Sequence, residues 1–266
     1  VSQSGETADT LQAMREAKRW NAKVLVISNV VDSSMAREAD AVLYTHAGPE
    51  VCVASTKTHL SQIVAMEILA LYLAQLRGTV YRAEAQELFD GLGELPGLVQ
   101  RCLDRAGEVE EVASRYSDTR DFFFLGRHVG YPVALEGALK LKEISYLRAE
   151  GYPAGELKHG PIALIEPGTV VVGVATRTRL WEKMMANISE VKARGATVVL
   201  VANDDDQETA AQADDVFWVP ATSDTSGLFA PVLDVVPLQL FAHAMAKARG
   251  TDVDRPRNLA KTVTVE

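Results

Sequence analysis

Cysteine is almost missing from this chain. Cys52 and Cys102 are the only two in 266 residues, with no CxxC and no Cys/His metal spacing. That excludes a disulfide scaffold and a structural zinc site and fits a reducing compartment. Aromatic residues are sparse at 6%, and no low-complexity tract or block of like charge interrupts the ordinary 47% hydrophobic and 24% charged composition of a globular protein. An excess of positive charge is lacking too: 27 Lys and Arg stand against 36 Asp and Glu, a net charge of −9. Nucleic acid and anionic membrane surfaces are therefore excluded as main partners, and a small ligand is expected. No secretory leader pattern appears, and the most apolar stretch, IVAMEILALYLAQL, is too short to span a bilayer and carries Glu67, so a cytoplasmic location is expected.

What is present is an alternation. The β-branched or aromatic runs AKVLVISN, DAVLYT, DFFFLG, TVVVGVA, ATVVLVAN and DDVFWVP are separated by helical stretches, the pattern of parallel strands with crossover helices. Two stretches also match each other. AKRWNAKVLVISN resembles VKARGATVVLVAN, ADAVLYT resembles ADDVFWV, and the helix ending AQLRG resembles the one ending AKARG. Val24 to Asp40 and Val198 to Asp214 are both 16 residues; Asp40 to Gly78 is 38 and Asp214 to Gly250 is 36. Agreement of order and spacing over roughly 75 residues reads as a duplicated α/β domain.

The chain opens VSQSGETADT, three hydroxyls and a glycine in front of a helical pattern, which is the chemistry of a phosphate cradle at a helix N-terminus; the plain alternative is an N-cap. Such a loop normally follows a strand, and only Val1 precedes it. In the second copy the loop falls around Ala175 behind a complete half-domain. The expectation is that the first copy lacks its opening part, about 50 residues, and that the chain is a fragment of a longer protein. Thr176, Arg177, Thr178 and Arg179 stand in the second loop, so the first copy is expected to bind ligand and the second to be structural. Residues 79–118 read as polar connecting helices broken around Pro96 in LGELPGL.

Strand DFFFLG leads through RHVGYP into the helix VALEGALKLKEISYL, and ligands of open α/β sheets favour that kind of loop. Glu136, Lys140 and Glu143 share one face of the helix. By spacing alone they are a solvated stripe; in a drier setting, a carboxylate beside a lysine suits proton abstraction next to a carbonyl. In GYPAGELKHGP, His159 sits among glycines and prolines that would hold its imidazole for proton transfer, although a lone loop histidine is ordinarily a surface residue. Lys261 lies in an extended tail, TDVDRPRNLAKTVTVE, where position alone gives it no role.

Together the segments SQSGETADT, EVCVASTK, ALEGALKLKEISY, AGELKHGP, VVPLQL and DRPRNLAKTVTVE resemble the isomerase half of the glutamine–fructose-6-phosphate aminotransferase (isomerizing) family. The resemblance implies an α/β fold of two tandem sugar-isomerase (SIS) domains, each a three-layer, flavodoxin-like parallel sheet flanked by helices. The first domain would be partial at 1–80, followed by a helical connector at 81–118, the second domain at 119–250 and a tail over the active site at 251–266. It implies that a glutaminase domain is lacking, and that the enzyme makes glucosamine 6-phosphate from fructose 6-phosphate with ammonia from glutamine, the first step toward UDP-N-acetylglucosamine. Ser2, Gln3, Ser4 and Thr7 would hold the phosphate, with Val53 and Ser55 near the sugar. Glu143 would move the proton between C1 and C2, supported by Glu136 and Lys140. His159, reaching across from a partner subunit, would open the ring, and Ala260 and Lys261 would lie over the substrate. No cofactor and no metal are expected, and the assembly would be a homodimer or larger homo-oligomer. Two other readings stay open: another phosphosugar isomerase or deglycase with the same domains, and a non-catalytic phosphosugar sensor.

Overall fold

A computed structural model describes residues 1–223 and 227–261. The chain divides into two compact units, Val1–Ala85 with the segment from Asp254 onward, and Gln86–Val253.

In the first unit, helix α1 (Ala8–Arg19) precedes strand β1 (Leu25–Ser28), a short helix α2 (Ser34–Glu38), strand β2 (Ala41–Tyr44) and helix α3 (Lys57–Leu76). β1 and β2 pair in parallel, with Val26 opposite Val42. The first residues continue the pattern on β1's other edge: the Ser2 N–H donates to the Ile27 carbonyl at 2.9 Å and Ser2 bridges Ser28 in parallel. Met14, Val26 and Met35 form the core beneath α1. The stretch expected to be too short for a membrane forms a 20-residue helix, which by length and composition alone would suffice to cross one. The buried Glu67 in its middle argues against lipid around that position.

The second unit begins within α4 (Arg82–Asp104) and continues with α5 (Ala106–Arg115), β3 (Asp121–Gly126), α6 (Gly130–Ser145), β4 (Arg148–Pro153), β5 (Val170–Val174), α7 (Trp181–Lys192), β6 (Thr197–Asn203), α8 (Gln207–Ala210), β7 (Asp215–Val219) and α9 (Ala230–Ala248). Its five strands are all parallel, in the order β4-β3-β5-β6-β7. Val172 sits in register with Phe124 on one side and Val199 on the other. Residues of alternate parity feed the two faces. Phe123, Leu125, Val171, Val198 and Leu200 pack with Met184, Ile188 and Val191 of α7, while Phe122 and Phe217 meet Phe241 of α9 at 5.9 and 5.4 Å. Gly137 lets α6 lie close, since a Cβ there would stand 2.7 Å from Leu238 and 3.0 Å from Phe124.

The sequence repeat has a shared backbone clip. The Val24 N–H donates to Asp40 Oδ2 at 3.0 Å, and the Val198 N–H donates to Asp214 Oδ2 at 2.7 Å. One local expectation fails. α4 runs through Pro96 instead of breaking there, because Ala85, Leu95 and Cys102 are buried along it and that packing outweighs the lost amide. RAEGYP, with no β-branched residue, is the edge strand β4; only β3 hydrogen-bonds it, so Pro153 at its end removes nothing the sheet needs.

Asp234 of α9 is 1% exposed, with Oδ2 accepting from the Thr176 hydroxyl at 2.9 Å and Oδ1 unpartnered. Burial pushes its carboxyl up from 3.8 to about 7, against the Thr176 bond. Because the folded state then holds a proton that the unfolded state has released, stability falls as pH rises between those two values, by up to about 1.4 kcal/mol per pH unit. Asp234→Asn keeps an acceptor for Thr176 and removes the titration. Urea unfolding across that window should show the wild-type slope flattened in the variant; parallel slopes would mean Asp234 is not the group that titrates.

Candidate functional site

The hydroxyl loop joins the strand-like first residues to α1. Gly5 has φ +68°, and a Cβ there would stand 2.0 Å from Ser33 Oγ, so both conformation and space require glycine. The Gly5 N–H donates to Ser2 Oγ at 3.0 Å and the Glu6 N–H donates to Ser4 Oγ at 3.2 Å. Each hydroxyl accepts from the loop itself and keeps its own proton to donate. Gln3 offers its carbonyl to the Asn29 N–H at 3.2 Å, which fixes the loop's entry. Thr7 occupies the N-cap position of α1 but makes no side-chain cap bond, so the plain N-cap account does not hold. Glu6 turns its charge to α2: Oε1 accepts from the Ser34 N–H at 2.7 Å, and that bond holds its carboxyl below the ordinary value.

Within the same unit the segment before α3 meets the tail. The Val53 N–H donates to the Asp254 carbonyl at 3.2 Å, the Ser55 and Thr58 hydroxyls bond to each other, and Lys261 Nζ donates to the Cys52 carbonyl. Val53, Ser55 and Lys261 are thus brought together, with Ala260 exposed beside the lysine. Residues 262–266 of the tail lie outside the described residues.

In the second unit the stripe on α6 is not solvated. Lys140 is 4% exposed, with Nζ 3.4 Å from Glu136 Oε1 and 2.7 Å from Glu143 Oε2. The shorter pair is an ion contact, and Glu143 Oε2 makes no well-aligned hydrogen bond. The helix carries these residues away from the loop that sequence favoured. Glu143 lies about 20 Å along α6 from Gly130, at the opposite end from the carboxyl edge of the sheet. His159 ends a 3-10 turn, Ala154–His159, with Nδ1 2.6 Å from Glu156 Oε2 and its side chain 71% exposed. Among the described residues no cluster of three or more His, Cys, Asp or Glu could hold a metal.

Sequence reasoning passed over Glu50 and Ser33. Glu50 takes donors from six and eight residues ahead, outside any capping-box spacing, and Ser33 acquires meaning only through its contact beneath Gly5.

Gly5→Ala should cost about 1–2 kcal/mol for the positive φ alone, with the clash on Ser33 added. Chemical denaturation measures it, and an unchanged midpoint would show that the loop re-forms without glycine.

The sequence model of the SIS domain family matches residues 1–72 and 116–248. The chain is 50% identical over its full length to a glutamine–fructose-6-phosphate aminotransferase [isomerizing] of Clostridium tetani and 53% identical to one of Mycobacterium bovis, and it spans 43% of the length of each. Among solved structures it matches the C-terminal domain of glucosamine-fructose-6-phosphate aminotransferase from Francisella tularensis, with a TM-score of 0.91 and 40% identity, covering 96% of this chain and 71% of that one. It also matches a glucosamine-6-phosphate deaminase from Thermotoga maritima, with a TM-score of 0.74 and 26% identity, covering 98% and 73%. A family model that spans most of the chain, joined by a solved relative aligned along nearly all of it, means that the chain belongs to the SIS domain family, in the group of the glucosamine-fructose-6-phosphate aminotransferase C-terminal domain.

Proposed function

We propose that the chain is the isomerase part of an enzyme that converts fructose 6-phosphate and glutamine-derived ammonia to glucosamine 6-phosphate. The observation that carries this reading is the α6 trio, a buried lysine between two carboxylates. A sensor of the same sugar needs no such arrangement. The organisation proposed is two SIS domains in tandem, supported by the two separate spans matched and by the repeated Asp clip. Residues 1–80 belong to the first domain, 81–118 connect, 119–250 form the second, and 251–266 cover the substrate. The same reading carries a homodimer and a cytoplasmic location.

The first unit supplies binding. Ser2, Gln3, Ser4 and Thr7 take the phosphate dianion at the N-terminus of α1, where hydroxyl donors and helix amides favour negative charge. Val53, Ser55 and Ala260 line the sugar. His159 of a partner subunit opens the ring and exposes the C2 carbonyl. Lys261 Nζ then condenses with that carbonyl, forming a C=N bond and releasing water, and ammonia exchanges with the lysine to leave the C2 imine. Glu143 takes a proton from C1 and returns one to C2, so that a C1–H bond breaks, a C2–H bond forms, and the carbonyl emerges at C1. Glu136 and Lys140 hold that carboxylate and its charge in place. The likeness to the Thermotoga deaminase supports a second reading, ammonia release from glucosamine 6-phosphate without a glutamine step, which the same residues would serve.

Two experiments on the full-length gene product test the reading. Glu143→Gln should lower isomerisation by about 10²–10⁴-fold while phosphosugar affinity holds; a fall below tenfold would return Glu143 to a structural role. Borohydride added with fructose 6-phosphate should leave a sugar adduct on Lys261, seen by peptide mass spectrometry and diminished in His159→Ala. Absence of the adduct, with Lys261→Arg still active, would remove the lysine from the chemistry.

A further inference from the structure

Glu50 stands ahead of α3 in GPEVCVASTKT, and its carboxylate gathers a set of donors that no surface glutamate would meet by chance. Oε2 accepts from the Thr56 N–H at 3.2 Å, the Thr58 N–H at 3.2 Å and the Thr58 hydroxyl at 2.8 Å, while the Thr56 hydroxyl reaches Oε1 at 3.4 Å. The Thr58 amide lies in the first turn of α3, where no helical carbonyl is in reach, and Thr58 itself is fully buried. The Thr58 hydroxyl also bonds the Ser55 hydroxyl, so a chain of three side chains runs from Glu50 to Ser55. On the other side of Glu50 the backbone turns to the tail: Cys52 receives Lys261 Nζ on its carbonyl, and Val53 holds the Asp254 carbonyl. Burial pushes the Glu50 carboxyl up, but the Thr58 hydroxyl and amide, the Thr56 amide and the Lys261 charge outweigh it and hold the group below its ordinary value, so the carboxylate is ionised.

We propose that Glu50 is a positioning residue: its one carboxylate ties segment 51–56 to the first turn of α3 and, through that segment, seats the tail lysine, so that Ser55 and Lys261 are presented as a unit. What the two residues then do rests on the function proposed above, but the tethering does not. A carboxylate answers three requirements at once that a neutral group cannot: several acceptor sites, negative charge at the positive end of α3, and negative charge facing an ammonium. Glu50 touches no substrate in this account, so its loss lowers the rate of the steps that Lys261 performs without weakening the grip on the phosphate.

The test compares wild type, Glu50→Gln and Glu50→Asp in the full-length gene product by hydrogen exchange and by kinetics with fructose 6-phosphate. In Glu50→Gln, amides of both 53–58 and 254–261 should exchange faster, kcat should fall about tenfold or more for the charged hydrogen bonds lost, and phosphosugar affinity should stay within about twofold. Glu50→Asp, which keeps the charge, should recover part of kcat. Faster exchange at 53–58 with an unchanged tail overturns the seating of the lysine, and unchanged exchange in both segments overturns the proposal altogether. A wild-type protein that does not turn over fructose 6-phosphate removes the proposed function and leaves the exchange result to decide the tether. Should Glu50→Gln not fold, Thr58→Val cuts the link at the buried hydroxyl with little change of volume; exchange at both segments equal to wild type would then count against the proposal.

Discussion

The central strands β5 and β6 of the second unit are dry on both faces. Val170 to Val174 and Val198 to Ala202 are all buried, leaving no face on which these strands could meet water. A parallel sheet in that state must carry helices on each side, and it does, with α7 on one face and α6 and α9 on the other. Among the described residues of this unit, the buried ionisable side chains are ones neutralised in place. Lys140 is held between Glu136 and Glu143, and Asp234, the buried carboxyl of α9, is driven toward its protonated form. The buried charged groups of this unit thus take their unusual settings from the demand of two strands for dry cover.

The two copies of the repeat carry different side chains in their matched loops. The Ala175 N–H donates to the Val201 carbonyl at 2.9 Å, as the Ser2 N–H does to Ile27, so Arg177 stands where Ser4 stands. Asp206 caps α8 as Ser33 occupies the cap of α2. In the second unit the Arg177 guanidinium lies 2.6 Å from Asp206 and 2.8 Å from Glu208 and stacks on Trp181 at 3.7 Å. Its charge is answered from within the protein. In the first unit Ser4 and Ser33 stand at those positions, Gly5 packs directly on Ser33, and the internal charge is the Glu6 carboxylate, which accepts from the Ser34 N–H. Two differences at matched positions, Arg for Ser and Asp for Ser, put an internal ion pair in the second loop where the first has two hydroxyls.

The alternation of strands and helices was legible because the doubly covered strands are nearly continuous β-branched runs, and the repeat was legible because the Asp clip fixes a 16-residue spacing in both copies. β4 was not, since RAEGYP owes its conformation to pairing with β3 and not to its own residues. Pro96 misled for a related reason: propensity sees the missing amide, while the burial along α4 comes from tertiary packing. The stripe Glu136, Lys140, Glu143 could be read as one helical face, but its burial could not, because alternate exposure of Leu135 and Leu139 beside it leaves no clean amphipathic signal. Motif resemblance located Lys261, whose seat on the Cys52 carbonyl depends on a contact 209 residues away in sequence.

Stability alone gives a poor account of the α6 trio. A buried ion pair recovers its desolvation cost only with good geometry, and well-packed apolar residues of similar size often serve the fold as well or better. Here the geometry is not good: the 2.7 Å pair is misaligned, and a buried carboxylate oxygen is left without a hydrogen bond. A helix needing only to cover β3 and pack on α9 would do so with leucine, as it does at Leu141, which is fully buried. The trio keeps a lysine dry between two carboxylates, which is a liability for folding that the packing of the helix does not require. The weight of the functional argument therefore rests on a buried charged trio that the fold alone does not call for.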